Sequence, residues 1–145
     1  MINGYIPAAR FLPFLSWTDV AALPDKSNTV IVLPTGAIEQ HGPHLPCSVD
    51  SVISSGVAGH ALARLPATIP AYAIPPIVYG KSEEHLHFPG TLTLSGDTLL
   101  HTLLEIAESL YRAGFRKLLM INGHGGQPQI LQIACREMRL RHGDF

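Results

Sequence analysis

Five of the eight histidines fall in three short polar segments, each of which also contains glycine or proline. The first reads Thr35-Gly36-Ala37-Ile38-Glu39-Gln40-His41-Gly42-Pro43-His44-Leu45-Pro46 and runs on to Asp50. The second reads Ser82-Glu83-Glu84-His85-Leu86-His87-Phe88-Pro89-Gly90-Thr91, and the third Asn122-Gly123-His124-Gly125-Gly126-Gln127. A histidine surplus in a chain of nearly neutral charge points to metal binding or acid–base chemistry. Glu39 and His41 are two apart, so in an extended chain their side chains point to the same side. Asp50 opens a helical pattern, where a carboxylate is favoured by the helix N-terminus and can project back towards the preceding loop. His124 sits in a glycine turn that lets other backbone approach closely. Two carboxylates and two imidazoles without a thiolate make a donor set suited to zinc, manganese or iron.

Plainer roles exist for each residue. Asp50 alone reads as a helix cap, His44 as a loop hydrogen-bonder, and Glu39 with His41 as a solvated loop. Glycine and proline on both sides of Glu39 and His41 argue for a fixed conformation instead. Residues 82–91 fit a charged surface loop or the wall of a site, and spacing does not choose between them. Cys47 and Cys135 read as packing residues, too few and too far apart for a disulfide scaffold. A dinucleotide-binding turn is excluded, because Pro128 stands where the third glycine of that fingerprint belongs.

The elements that must position these residues alternate between strand and helix. Residues 29–33 (Thr-Val-Ile-Val-Leu) are a continuous apolar, β-branched run ended by Pro34 and Gly36, which reads as a strand buried on both faces of a parallel sheet. A helical period runs over 50–65 and stops at Pro66. Residues 72–78 carry Pro75 and Pro76 and allow at most a short strand followed by extended loop. Residues 97–112 form the clearest helix, capped by Ser95 or Asp97 and ended by Gly114. A second strand covers 115–121, a tight turn 122–126, and a last amphipathic helix 128–141, with Pro128 in its first turn. This is an α/β chain with a mostly parallel sheet and right-handed crossovers. Ligands in such sheets gather at the carboxyl ends of strands, so the first and third polar segments are expected to meet at one edge.

The chain has 145 residues, 46% of them hydrophobic and 14% charged, a globular composition. Ten Lys and Arg against eleven Asp and Glu give a net charge of -1, which argues against a nucleic-acid binder or a chain that coats anionic membrane. No apolar run approaches the roughly 18 to 20 residues of a membrane span, and no signal peptide is evident, so a cytoplasmic location is expected. Only about three strands are made before Phe145, and doubly wound sheets usually carry about five or more. Residues 1–145 read either as a small complete domain or as part of a larger one, and one partial domain is the expectation.

Taken together, the three segments resemble the creatininase (creatinine amidohydrolase) family. Leu33-Pro34-Thr35-Gly36-Ala37-Ile38-Glu39-Gln40-His41-Gly42-Pro43-His44-Leu45-Pro46 with Asp50 is similar to its first metal motif. His87-Phe88-Pro89-Gly90-Thr91 resembles its FPGT motif, and Asn122-Gly123-His124-Gly125-Gly126 its NGHGG motif. The resemblance implies a three-layer α/β/α fold, here truncated at the C-terminus, and two divalent metal ions, with zinc first and manganese or iron as alternatives. It places Glu39 and His124 on one metal, His41 on the other, and Asp50 between them, with His85, His87 and Gly125 against a small-molecule amide substrate.

The implied reaction is hydrolysis of a C–N bond in a cyclic amide or formamide by a hydroxide bridging the metals, in a homo-oligomer. No catalytic residue is assigned; the general acid and base are expected beyond residue 145. Two departures from the family pattern stand out. Creatininase itself has an aromatic residue and a metal-binding Glu where Gly125 and Gly126 stand here, with Gln127 in place of a usual Asn. A C-terminal segment that the family uses for a further acidic ligand is expected beyond residue 145. The alternative is a truncated relative that binds metal or oligomerises without turnover.

Overall fold

The computed structural model describes residues 2–145. Three parallel strands, β1 (Val30–Thr35), β2 (Ala71–Ala73) and β3 (Lys117–Asn122), lie in the order β2-β1-β3. Val30 pairs with Ala71 and with Lys117, and the β1–β3 register continues to Thr35 opposite Asn122. Four helices accompany them: α1 (Trp17–Ala22), α2 (Val49–Arg64), α3 (Gly96–Arg112) and α4 (Pro128–Arg141).

Strand β1 is central and buried along nearly its whole length, as its apolar run requires. It extends two residues past the expected end, through Pro34. The proline is tolerated because its carbonyl accepts from Ile77 N at 3.0 Å, on the side where β2 has already stopped at Ala73. Alternate β1 side chains serve opposite faces. Leu33 packs with Leu99, Leu103 and Ala107 of α3 and with Leu131, Ala134 and Met138 of α4. Val32 packs with Ala58 and Leu62 of α2 and with Ile6 and Phe11 of the N-terminal segment. The result is three layers: α2 on one face of the sheet, α3 and α4 on the other.

Topology accounts for that division. The chain moves from β1 to β2 in one direction and from β2 past β1 to β3 in the other. Crossovers of one hand then place α2 and α3 on opposite faces. The adjacent strands β1 and β3 send their following helices to opposite faces, and this divergence is where open α/β sheets form a crevice.

Helix boundaries differ from expectation by a residue or so. Ser95, and not Asp97, caps α3, its hydroxyl accepting from Thr98 N at 3.2 Å. The short helix α1 was not expected. Its signal is a capping box in which Ser16 Oγ accepts from Asp19 N at 3.2 Å and Asp19 Oδ2 accepts from Ser16 N at 3.1 Å. No helix among the described residues is long and apolar enough to cross a membrane.

Candidate metal centre

The loop after β1 and the turn after β3 converge at the carboxyl edge of the sheet. Glu39 is held by its backbone: Glu39 N donates to Cys47 O at 2.9 Å, and the carbonyl of its neighbour Ile38 accepts from Leu92 N at 2.9 Å. Asp50 lies in the first turn of α2 and is buried, but it is not the helix cap; Ser48 occupies that position. The Asp50 side chain turns away from its helix to two imidazoles. Its Oδ1 is 3.0 Å from His41 Nε2, and its Oδ2 is 2.9 Å from His124 Nδ1. His124 Nδ1 also lies 3.3 Å from Glu39 Oε1.

The other nitrogen of each ring meets a group that can only accept. His124 Nε2 is 2.8 Å from Lys81 O, and His41 Nδ1 is 3.2 Å from Glu39 O. A carbonyl takes a hydrogen, so these nitrogens carry the ring N–H and donate. In the neutral rings, His41 Nε2 and His124 Nδ1 then present lone pairs to the two oxygens of one carboxylate. Lone pair opposed to lone pair is repulsive, and a cation among these atoms converts the opposition to attraction. Metal-binding histidines are commonly oriented in this way, with the second nitrogen donating to a backbone carbonyl. Glu39 Oε2 adds a buried oxygen without a hydrogen-bond partner among the described residues. The ligand atoms of Glu39, His41 and Asp50 lie within 4.8 Å of one another, as do those of Glu39, Glu84 and His124.

Close packing holds the turn after β3 in place. A Cβ at Gly123 would strike Asp50 O and crowd Ser54, so only glycine lets the turn seat on the first turn of α2. Asn122 ties the turn internally: its Nδ2 donates to His124 O at 2.7 Å, and its Oδ1 accepts from Thr35 Oγ1 at 3.3 Å and Gln127 Nε2 at 3.0 Å. The fully buried Gln127 reaches further, donating to Gly36 O at 3.3 Å and accepting from Lys81 N at 3.3 Å.

Residues 82–91 are wall at the base and surface at the tip. Ser82 is buried, its hydroxyl 3.3 Å from His124 Nε2, whereas Leu86 to Gly90 are exposed. His85 Nδ1 accepts from Gln40 Nε2 at 3.3 Å, which links this segment to the His41 loop. His87 is exposed against the Phe88 ring at 4.2 Å, and Gly125 is exposed with open space around it. A cavity of about 350 Å³ beside His41 is lined by Gln40, Pro43, Leu45, Cys47, Phe88 and Pro89 among others. Glu84 and Gln127 escaped the sequence reading as site residues. Gln127 had a faint signal, a polar residue immediately before a helix that opens on proline; Glu84 had none beyond its segment.

A family model described as creatininase, creatinine amidohydrolase, matches residues 13–145. The chain belongs to the creatininase family. The creatininase-family relatives include a creatinine amidohydrolase of Pseudomonas putida, 34% identical over 138 residues, covering 89% of this chain and 52% of the relative. A mycofactocin precursor peptide peptidase of Mycolicibacterium smegmatis is 37% identical over 117 residues, covering 79% of this chain and 47% of the relative. Among solved structures, a mutant creatininase of Zn-Zn type superposes with a TM-score of 0.79 at 34% identity, covering 93% of this chain and 55% of that one. The chain thus spans about half the length of the creatininase-family proteins it matches.

Proposed function

We propose that this chain forms the metal-binding part of an amidohydrolase, with Glu39 and His124 on one divalent ion, His41 on a second and Asp50 bridging them. The observation that carries the reading is the single Asp50 carboxylate set between two imidazole nitrogens, each on its own oxygen, while the opposite nitrogen of each ring meets a backbone carbonyl. Family membership and the Zn-Zn relative favour zinc, with manganese or iron compatible with the same donors.

When bound, such a pair of ions polarises a carbonyl and lowers the pKa of water. The chain's own residues keep that arrangement ready. Lys81 O and Glu39 O fix the ring tautomers, Asp50 sets one carboxylate oxygen opposite each ring, and Glu39 adds a second buried carboxylate in a site of reduced dielectric. The cavity beside His41 is at the small end of ligand sites and largely apolar, which suits a cyclic amide or formamide. Identity to the Mycolicibacterium smegmatis peptidase favours a second reading, a peptide C–N bond as the substrate.

The test begins with metal stoichiometry per chain, by elemental analysis of protein purified without chelator. About two ions support the binuclear reading, and hydrolysis of cyclic amides, formamides and short peptides is then assayed. Activity lost in both Glu39→Gln and Asp50→Asn is expected, and unchanged hydrolysis in both would sink the assignment. One ion or none favours a relative that binds metal or oligomerises without turnover.

A further inference from the structure

We infer that Glu84 is a further metal ligand, joining Glu39 and His124 through space that Gly126 leaves open. The inference rests on the metal centre proposed above. Glu84 lies in a short turn, Glu83–His85, on the wall segment. One ligand atom from each of Glu39, Glu84 and His124 falls within 4.8 Å of the other two. Two carboxylates at that separation repel unless a cation lies with them.

The nearby lysine does not fill that role well. Lys81 Nζ is 3.1 Å from Glu83 Oε2 but 3.8 Å from Glu84 Oε2, so Glu83 is its main partner. The other Glu84 oxygen, Oε1, faces Gly126. Within the same triad, Glu39 Oε2 is buried and has no hydrogen-bond partner among the described residues. An orphaned carboxylate oxygen costs roughly 1–3 kcal/mol, or more when charged, unless something satisfies it. A metal ion among Glu39, Glu84 and His124 satisfies it and relieves the carboxylate repulsion.

Gly126 explains how Glu84 gets there. A Cβ at this position would strike Glu84 Oε1, His124 Nε2 and Lys81 O together. Its backbone is not in the left-handed region, where glycine is needed for conformation. What residue 126 requires is the absence of a side chain. At Gly125, one residue earlier, a Cβ meets nothing within 4 Å. With Glu84 included, Glu39 is shared by two ligand groups, one completed by His41 and Asp50, the other by Glu84 and His124.

The experiment measures metal affinity, independent of turnover. Cobalt(II) is titrated against a competing chelator while its visible spectrum is followed, and zinc content is measured after dialysis. Wild type is compared with Glu84→Gln, Gly126→Ala and, as a control, Gly125→Ala, with circular dichroism to monitor folding. Glu84→Gln alters an exposed side chain, so its fold is expected to be intact. Affinity for one ion is expected to fall by at least roughly tenfold, the lower end of what loss of a group supporting a ligand costs. The cobalt spectrum is expected to change as well. Gly126→Ala should weaken the same ion, and Gly125→Ala should not. Wild-type affinity and spectrum in Glu84→Gln would overturn this inference and leave the centre of Glu39, His41, Asp50 and His124 standing. A wild-type chain that binds no ion would overturn that centre, and this inference with it.

Discussion

Asp50 Oδ2 stands 2.9 Å from His124 Nδ1, while the opposite nitrogen of the same ring is 2.8 Å from Lys81 O. The second contact fixes where the ring hydrogen is, and therefore what the first contact means. A neutral His124 offers Asp50 a lone pair and no hydrogen, and a cation beside this buried pair turns that opposition into attraction.

Metal should therefore stabilise the fold, because an ion that binds only the folded state shifts the equilibrium towards it. At free metal 100-fold above its Kd the gain is about 2.7 kcal/mol. For a chain of this size that raises the melting temperature by roughly 5–10 °C. Thermal melts with zinc and with excess chelator check this, and the difference should vanish in Asp50→Asn.

Gln127→Leu should loosen the site without touching a ligand. The amide links Gly36 O, Asn122 Oδ1 and Lys81 N, and an apolar side chain leaves these buried groups without their partner. A loss of about 1–3 kcal/mol in denaturant unfolding is expected, together with weaker metal binding, because Lys81 also orients His124.

Gly123→Ala and Gly125→Ala should differ although both replace glycine in one turn. A methyl at 123 runs into Asp50 O and Ser54, and overpacking of this kind costs about 1–3 kcal/mol. At 125 the methyl enters open space, and a change within about 0.5 kcal/mol is expected. Urea titrations of the two variants side by side decide it.

Acid should unfasten the C-terminal end before it reaches the core. A hydrogen bond from His142 holds the Glu108 carboxyl below its usual range, and bonds from Arg116 and Tyr111 do the same for Asp144. Carboxyls lowered in the folded state stabilise it above their ordinary pKa, and that stability is lost as pH falls through the lowered values. The window accordingly lies below about pH 4.5 for Glu108 and below about 3.8 for Asp144, the ordinary values of the two groups. Melting temperature followed from pH 7 down to strongly acid solution should fall more gently there in Glu108→Gln and Asp144→Asn.

Self-association should involve β3. Its apolar sequence suits a strand between neighbours, yet among the described residues it pairs with β1 alone and leaves Leu119 about half exposed. Light scattering is expected to show oligomers that Leu119→Lys reduces. A monodisperse wild-type monomer would contradict this.

Much of the site was legible in the chain itself. The run from Thr29 to Leu33 supplies most of the buried parallel strand Val30–Thr35, because β-branched residues on both faces pack well between two helical layers. Two strands that feed polar glycine-rich segments bring those segments to one edge, and Glu39, His41, Asp50 and His124 do meet there. Capping was less well read. The Ser16–Asp19 box was present in the sequence, and Asp50, a natural cap by type, turned out to face the imidazoles from within the helix.

Tertiary structure decided the rest. Nothing local distinguishes Glu84 from Glu83, yet one pairs with Lys81 and the other sits against Gly126 and His124. The contacts that orient His124 and anchor Gln127 join residues 42 to 91 positions apart. Periodicity and propensity describe neighbours within a turn or a strand, so they specify which elements form and which residues lie at their ends. Which nitrogen of a ring carries its hydrogen, and which oxygen of a carboxylate it faces, depends on groups that only the packed layers bring within hydrogen-bond distance.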